Sequence, residues 1–156
     1  MIILGIDPGT TRVGYGIIEK PKKVHGYGII EIKKRGLPER LVYLERELEK
    51  LIKKYEPEVI AVEKLFFAKN KKTALEVAEA RGVIILVAAR HKIEIKEPTP
   101  IFVKQSVTGY GMADKKAVTK MVERLLNIKD LKKFPDDTAD ALANAVAAVY
   151  MSSVKN

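Results

Sequence analysis

The chain has no cysteine, no tryptophan, two histidines and a single glutamine among 156 residues. Without cysteine there is neither a disulfide framework nor a thiolate metal site, which fits an intracellular, cytoplasmic chain. His25 is isolated in a strand-like stretch, without metal-ligand spacing. His91, within Arg90-His91-Lys92, suits a helix C-terminus, where positive charge matches the dipole. No apolar run approaches the ~20 residues of a membrane helix, and Met1 leads into a strand-like run without a basic leader. Neither a membrane span nor a signal peptide is therefore expected. Acidic charge is also scarce: 20 Asp and Glu stand against 29 Lys and Arg, a net charge of +9. That excess points to a polyanionic partner, nucleic acid ahead of an anionic membrane surface. Heavy Lys and Glu use beside the lone Gln105 also accords with a thermophilic chain, which explains the charge density but not its sign.

What is present reads as one globular domain spanning 1–156, since hydrophobic residues make up 47% and charged residues 31%. Ile2 to Ile6 form an apolar strand that ends in Asp7. Pro8-Gly9 predicts a tight turn, with Pro presetting φ and Gly tolerating φ > 0. Val13–Glu19 and Val24–Lys33 predict two further strands, completing an antiparallel meander. Glycines 14, 16, 26 and 28 alternate within them and mark close approach by another backbone or a ligand. Leu41, Leu44, Leu48, Leu51, Ile52 and Tyr55 recur at helical spacing, and Pro57 stops that helix. Val59–Val62 is a buried strand ending in Glu63. A long helix runs from an Asn70 N-cap to about Arg90. It is apolar nearly all round from Val83 to Ala89, so it is buried centrally or against a partner subunit. Ile93–Lys96 is a short strand, followed by a Pro-restricted stretch and a flexible Thr108–Gly111 loop. Helices then start near Asp114 and at Pro135-Asp136-Asp137, the last with Ala141, Leu142, Ala145, Val146 and Val149 as its buried stripe.

Two strands that both end in an acid are informative together. A meander followed by a helical crossover places the second parallel to the first, with both carboxylates at one sheet edge. Asp137 and Asp140 share a helix face. Four carboxylates brought together need raised pKa values or cations, and an oxygen-only donor set favours Mg²⁺ or Mn²⁺. The alternative stays open that Asp136, Asp137 and Asp140 serve only capping and the helix dipole, and that Glu63 is a solvated strand end. Phe66 and Phe67 follow Glu63 in a polar loop, where an exposed ring could stack on bases or pack beneath the next helix. Lys115 and Lys116 open a helix against its dipole, a mismatch that a bound phosphate would offset. Neither a Walker A loop nor a dinucleotide fingerprint is present.

Four stretches in order resemble the RuvC family of Holliday-junction resolvases: G-I-D-P-G-T-T-R-V-G-Y-G, V-E-K-L-F-F-A-K-N, V-K-Q-S-V-T-G-Y-G and D-D-T-A-D-A-L. The resemblance implies an α/β, RNase H-like fold: a mixed five-stranded sheet with an antiparallel three-strand meander, flanked by helices. It implies that Asp7, Glu63, Asp137 and Asp140 are catalytic metal ligands for two Mg²⁺ per site, with Mn²⁺ able to substitute. Phe66 matches a ring stacking on junction bases, and Lys104 and Lys115 match basic residues at the cleavage site. Phe67, Lys69 and Lys116 are further candidate DNA contacts. The expected activity is paired symmetric nicking of four-way DNA junctions in recombination and repair, leaving 5′-phosphate and 3′-hydroxyl ends. The expected partners are a second copy of the chain and a branch-migration motor of the RuvA and RuvB type. Competing readings are an actin-like ATPase module, a related RNase H-like nuclease acting on RNA, and a catalytically silent junction-binding module.

Overall fold

In a computed structural model, which describes residues 1–32, 36–65 and 71–151, β1 (Ile2–Asp7), β2 (Arg12–Glu19) and β3 (Lys23–Glu31) form the meander. Helix α1 (Leu37–Tyr55) crosses to β4 (Val59–Val62), and α2 (Lys71–Arg90) leads to β5 (Glu94–Lys96). The sheet order is β3-β2-β1-β4-β5, antiparallel through the meander and parallel across β1, β4 and β5. The mixed five-stranded sheet is as the sequence predicts.

Alternation along each strand sorts side chains between two layers. On one face, Leu4, Ile6, Val13, Ile17 and Ile60 pack against Leu44, Leu48 and Ile52 of α1 and Ile84, Val87 and Ala88 of α2. On the other, Ile3, Ile18, Val59 and Ala61 pack against three later helices: α3 (Pro100–Thr108), α4 (Lys115–Leu126) and α5 (Asp136–Tyr150).

Helix α3 departs from the expected Pro-restricted stretch. Thr99 caps it, accepting a hydrogen bond from the Phe102 N–H at 3.2 Å, and Pro100 takes a first-turn position where its missing N–H costs nothing. Helix α4 starts where expected, and Asp114 caps it, its Oδ1 accepting from the Ala117 N–H at 2.7 Å. Helix α5 is more than a striped helix: Thr138, Ala139 and every residue from Ala141 to Ala148 are buried, because it lies between the sheet and its neighbours α3 and α4. Its far end is tied down by buried Lys96, whose Nζ donates to the carbonyls of Ala148 (3.2 Å) and Met151 (2.8 Å).

The glycines explain how α5 comes so close. A Cβ on Gly5 would collide with the Ala141 carbonyl oxygen, one on Gly14 with the Asp137 carbonyl, and one on Gly16 with Leu142. Gly5 pairs with Gly16 and Asp7 with Gly14, so the three glycines form one bare patch beneath the helix. The expected close approach thus holds at Gly14 and Gly16, where α5 comes near, but not at Gly26 and Gly28, whose Cβ positions face the Tyr55 and Tyr15 side chains. Gly9 corrects another expectation. It does not take a left-handed φ, and residues 8–11 form a four-residue connection rather than a tight two-strand turn. Among the described residues no helix is long and apolar enough to cross a membrane.

Candidate active site

Strand register sets the site's first side. Ile6 pairs with Val62 in parallel, so the next residue on each strand is an acid, Asp7 beside Glu63. Asp7 follows Ile3 and Gly5 on the α5 face of β1, and Glu63 follows Val59 and Ala61 on the same face. The first turns of α5 supply Asp137 and Asp140 above them. Asp7, Glu63 and Asp140 line a cleft of about 310 Å³ with Lys104 and Val103 of α3, Lys115 of α4 and Asn144 of α5. A larger hollow of about 620 Å³, lined by Arg46, Lys50, Pro57 and His91 among others, lies at the opposite end of the parallel strands, away from these acids.

The electrostatics match a crowded carboxylate site. Burial holds the Asp7 carboxyl well above its ordinary range, and the charges of Asp140, Asp137 and Glu63 push it the same way. Glu63 is raised by burial and by Asp140, against the pull of Lys104 and Lys115. Asp140 is raised by burial, which outweighs its hydrogen bond with Lys115. The Lys115 ammonium stands 2.8 Å from Asp140 and 3.6 Å from Asp136. Burial works against that charged form, but the Asp140 hydrogen bond and surrounding acids raise the Lys115 pKa overall.

Asp137 belongs to the same field but is held differently. Its Oδ2 accepts from Arg12 Nε at 2.5 Å, and it does not line the cleft. Among the described residues, no three acids stand close enough as placed to ligate one ion; Lys115 and Arg12 sit on the two helix acids instead. The donor set nonetheless fits a hard divalent cation. It is all oxygen, and partly buried carboxylates crowd together with lysine ammonium as their local counter-charge.

Lys104 and Lys115 line the cleft with the acids, whereas Lys116 faces a neighbouring hollow with Lys132 and Phe134. A solvated first-turn position explains that separation. Phe66, Phe67, Lys69 and the Asn70 cap lie outside the described residues. Two residues of this region went unmarked in the sequence. Arg12 gave no signal beyond being charged after a turn. Asn144 was findable as a polar residue four after Asp140 in an alanine run; its Nδ2 donates to the buried Ile6 carbonyl at 3.0 Å, bracing the end of β1.

A family model described as "Crossover junction endodeoxyribonuclease RuvC" matches residues 3–148. The chain belongs to the RuvC family. Crossover junction endodeoxyribonuclease RuvC of Caldicellulosiruptor saccharolyticus is 49% identical over 98% of this chain and 95% of its own. That of Alkaliphilus oremlandii is 52% identical over 96% and 93%. Thermus thermophilus RuvC in complex with a Holliday junction substrate superposes with a TM-score of 0.84 at 26% identity, over 96% of this chain and 93% of that one. The fold is therefore RNase H-like, and RuvC membership makes the chain an endonuclease. It sets aside the actin-like and silent-module readings.

Proposed function

We infer that this chain resolves four-way DNA junctions, using Asp7, Glu63, Asp137 and Asp140 as the ligands of a Mg²⁺ site that also accepts Mn²⁺. The observation that carries this reading is the parallel register that sets Glu63 beside Asp7 under the first turns of α5. The junction as substrate follows the Thermus relative solved with one. Two ions per site, when bound, would clamp the scissile phosphate, activate the attacking water and stabilise the leaving 3′ oxygen.

The chain's own groups prepare that chemistry. Asp7 and Glu63 bring two carboxyls together in the cleft, because both sit at the ends of paired strands. Lys104 and Lys115 line the same cleft and offset that charge, facing the space that a strand phosphate enters. Asn144 keeps the Ile6 carbonyl, and with it Asp7, in place. Phe66 supplies the base-stacking ring, with Phe67, Lys69 and Lys116 as further DNA contacts.

A single nuclease domain over 1–156, acting in the cytoplasm as a homodimer with a RuvA- and RuvB-type motor, completes the reading. Support for the dimer comes from α2, whose Leu75 and Leu86 are 65% and 48% exposed within one chain. In its apolar second half Ile84, Val87 and Ala88 are buried against the sheet while Leu86 is not, so one side of the helix is left for the partner-subunit alternative.

The test is incubation with a synthetic four-way junction and Mg²⁺ beside Asp7→Asn. Paired symmetric nicks with 5′-phosphate and 3′-hydroxyl ends are expected from the unaltered chain, and binding without cutting from the variant. Equal cutting of linear duplex, or full activity in Asp7→Asn, overturns the reading.

A further inference from the structure

Asp137 is the acid of the four that a guanidinium already engages. Arg12 opens β2, at the far end of the connection that follows Asp7, and its Nε donates to Asp137 Oδ2 at 2.5 Å. The other oxygen, Oδ1, is turned towards Gly9, where a Cβ would lie 3.6 Å away. The pair is unevenly exposed: the arginine side chain is 44% accessible and the aspartate 20%. An enclosed carboxylate therefore faces the other acids' field while its counter-ion reaches into solvent. Lys115, also well exposed, differs in lining the cleft itself beside Asp140.

A guanidinium and a divalent cation compete for the same carboxylate oxygen. Arg12 meets Asp137 through Nε, and a guanidinium presents the same donors to a phosphate oxygen, so exchanging one anion for the other preserves that hydrogen bond. The Arg12 side chain is accessible enough for a phosphate to reach its outer side.

We propose that Arg12 is a positioning residue that holds Asp137 back from the metal site until DNA arrives. It then transfers to a backbone phosphate, so that DNA and metal binding are coupled through one arginine. The proposal rests on the reading of Asp137 as a metal ligand. Because such coupling is reciprocal, it has consequences for each ligand measured alone.

Two measurements on the full chain read it without any cutting. Mn²⁺ titrated into DNA-free protein, followed by electron paramagnetic resonance, is expected to bind Arg12→Gln roughly fivefold more tightly than the unaltered chain, the scale of releasing one partly exposed ion pair. Junction binding in EDTA is expected to lose about 0.9 from the slope of log affinity against log salt in the same variant, one phosphate contact fewer. Arg12→Lys keeps the charge without the guanidinium; it is expected to fall between the two and replaces Arg12→Gln if that variant does not fold. Asp137→Asn separates the two layers of the argument. If it weakens Mn²⁺ binding while Arg12→Gln leaves either quantity unchanged, the hand-off is overturned and Arg12 is only a helix-end ion pair. If Asp137→Asn binds Mn²⁺ as the unaltered chain does, Asp137 is not a ligand and the underlying reading falls instead.

Discussion

Asp7 is costly to the fold that carries it. Its pKa is raised by burial and then by three neighbouring carboxylates, so the folded chain keeps this proton at pH values where the unfolded chain has lost it. The folded state binds more protons across that window. Stability therefore falls as pH rises from about 4, the ordinary aspartate value, through the raised pKa. Glu63 and Asp140 shift in the same direction and add to the effect. Two outcomes are expected from calorimetry of the metal-free protein. The Tm declines with pH over that window, and Asp7→Asn melts higher than the unaltered chain at neutral pH despite losing all cutting. Mg²⁺ should also raise Tm more at about pH 8 than at about pH 5, where protons compete for the same oxygens. An Asp7→Asn variant that melts lower at neutral pH would show that the carboxylate is already satisfied without a cation. Asn144 acts on the same strand end by hydrogen bonding. Asn144→Leu leaves the buried Ile6 carbonyl without its donor and is expected to cost about 1–3 kcal/mol in denaturant unfolding.

At the scale of elements, the site depends on how closely α5 lies on β1 and β2. Gly14 sits under the carbonyl of Asp137, so Gly14→Ala has to push away the turn that carries two acids. The expected loss is about 1–3 kcal/mol of stability, together with most of the nicking activity, because the displaced group is helix backbone rather than a flexible side chain. Gly28→Ala is the control. Its Cβ would meet the Tyr15 ring on the sheet face away from α5, and nicking should survive. These glycines show what could be read in advance. Gly14 and Gly16 announced a close approach, and the meander followed by a helical crossover announced parallel strands with paired acids, since strand direction follows from the order of elements. Three features were not legible. Helix α3 hid behind Pro98 and Pro100, because Thr-Pro reads equally as a loop or as a cap followed by a first turn. The all-round burial of α5 depends on α3 and α4 covering it, which no single segment's periodicity contains. The Arg12–Asp137 pair joins residues 125 apart in sequence, and only the finished packing brings them together.

At the scale of the whole molecule, one chain carries one cleft, whereas a four-way junction offers two opposed strands. Symmetric nicking thus calls for two chains related by a two-fold axis. Helix α2 is the candidate surface for the proposed dimer. Leu75 and Leu86 project outward while Ile84, Val87 and Ala88 are spent on the core, and Gly82 has nothing within 4 Å of where its Cβ would be, so another backbone can come near. Leu86→Glu places a charge in that face without touching the buried layer. The isolated chain should keep its circular dichroism and lose no more than about 0.5 kcal/mol of intrinsic stability, as for most surface changes. Sedimentation velocity should show the dimer weakened by roughly tenfold or more, as when a buried apolar contact is replaced by an unpaired charge. On the junction, single nicks should then accumulate ahead of resolved linear duplexes, because each cleft cuts independently once its neighbour is no longer tethered. A variant that stays dimeric and still nicks in pairs would place the two-fold axis on another face of the chain.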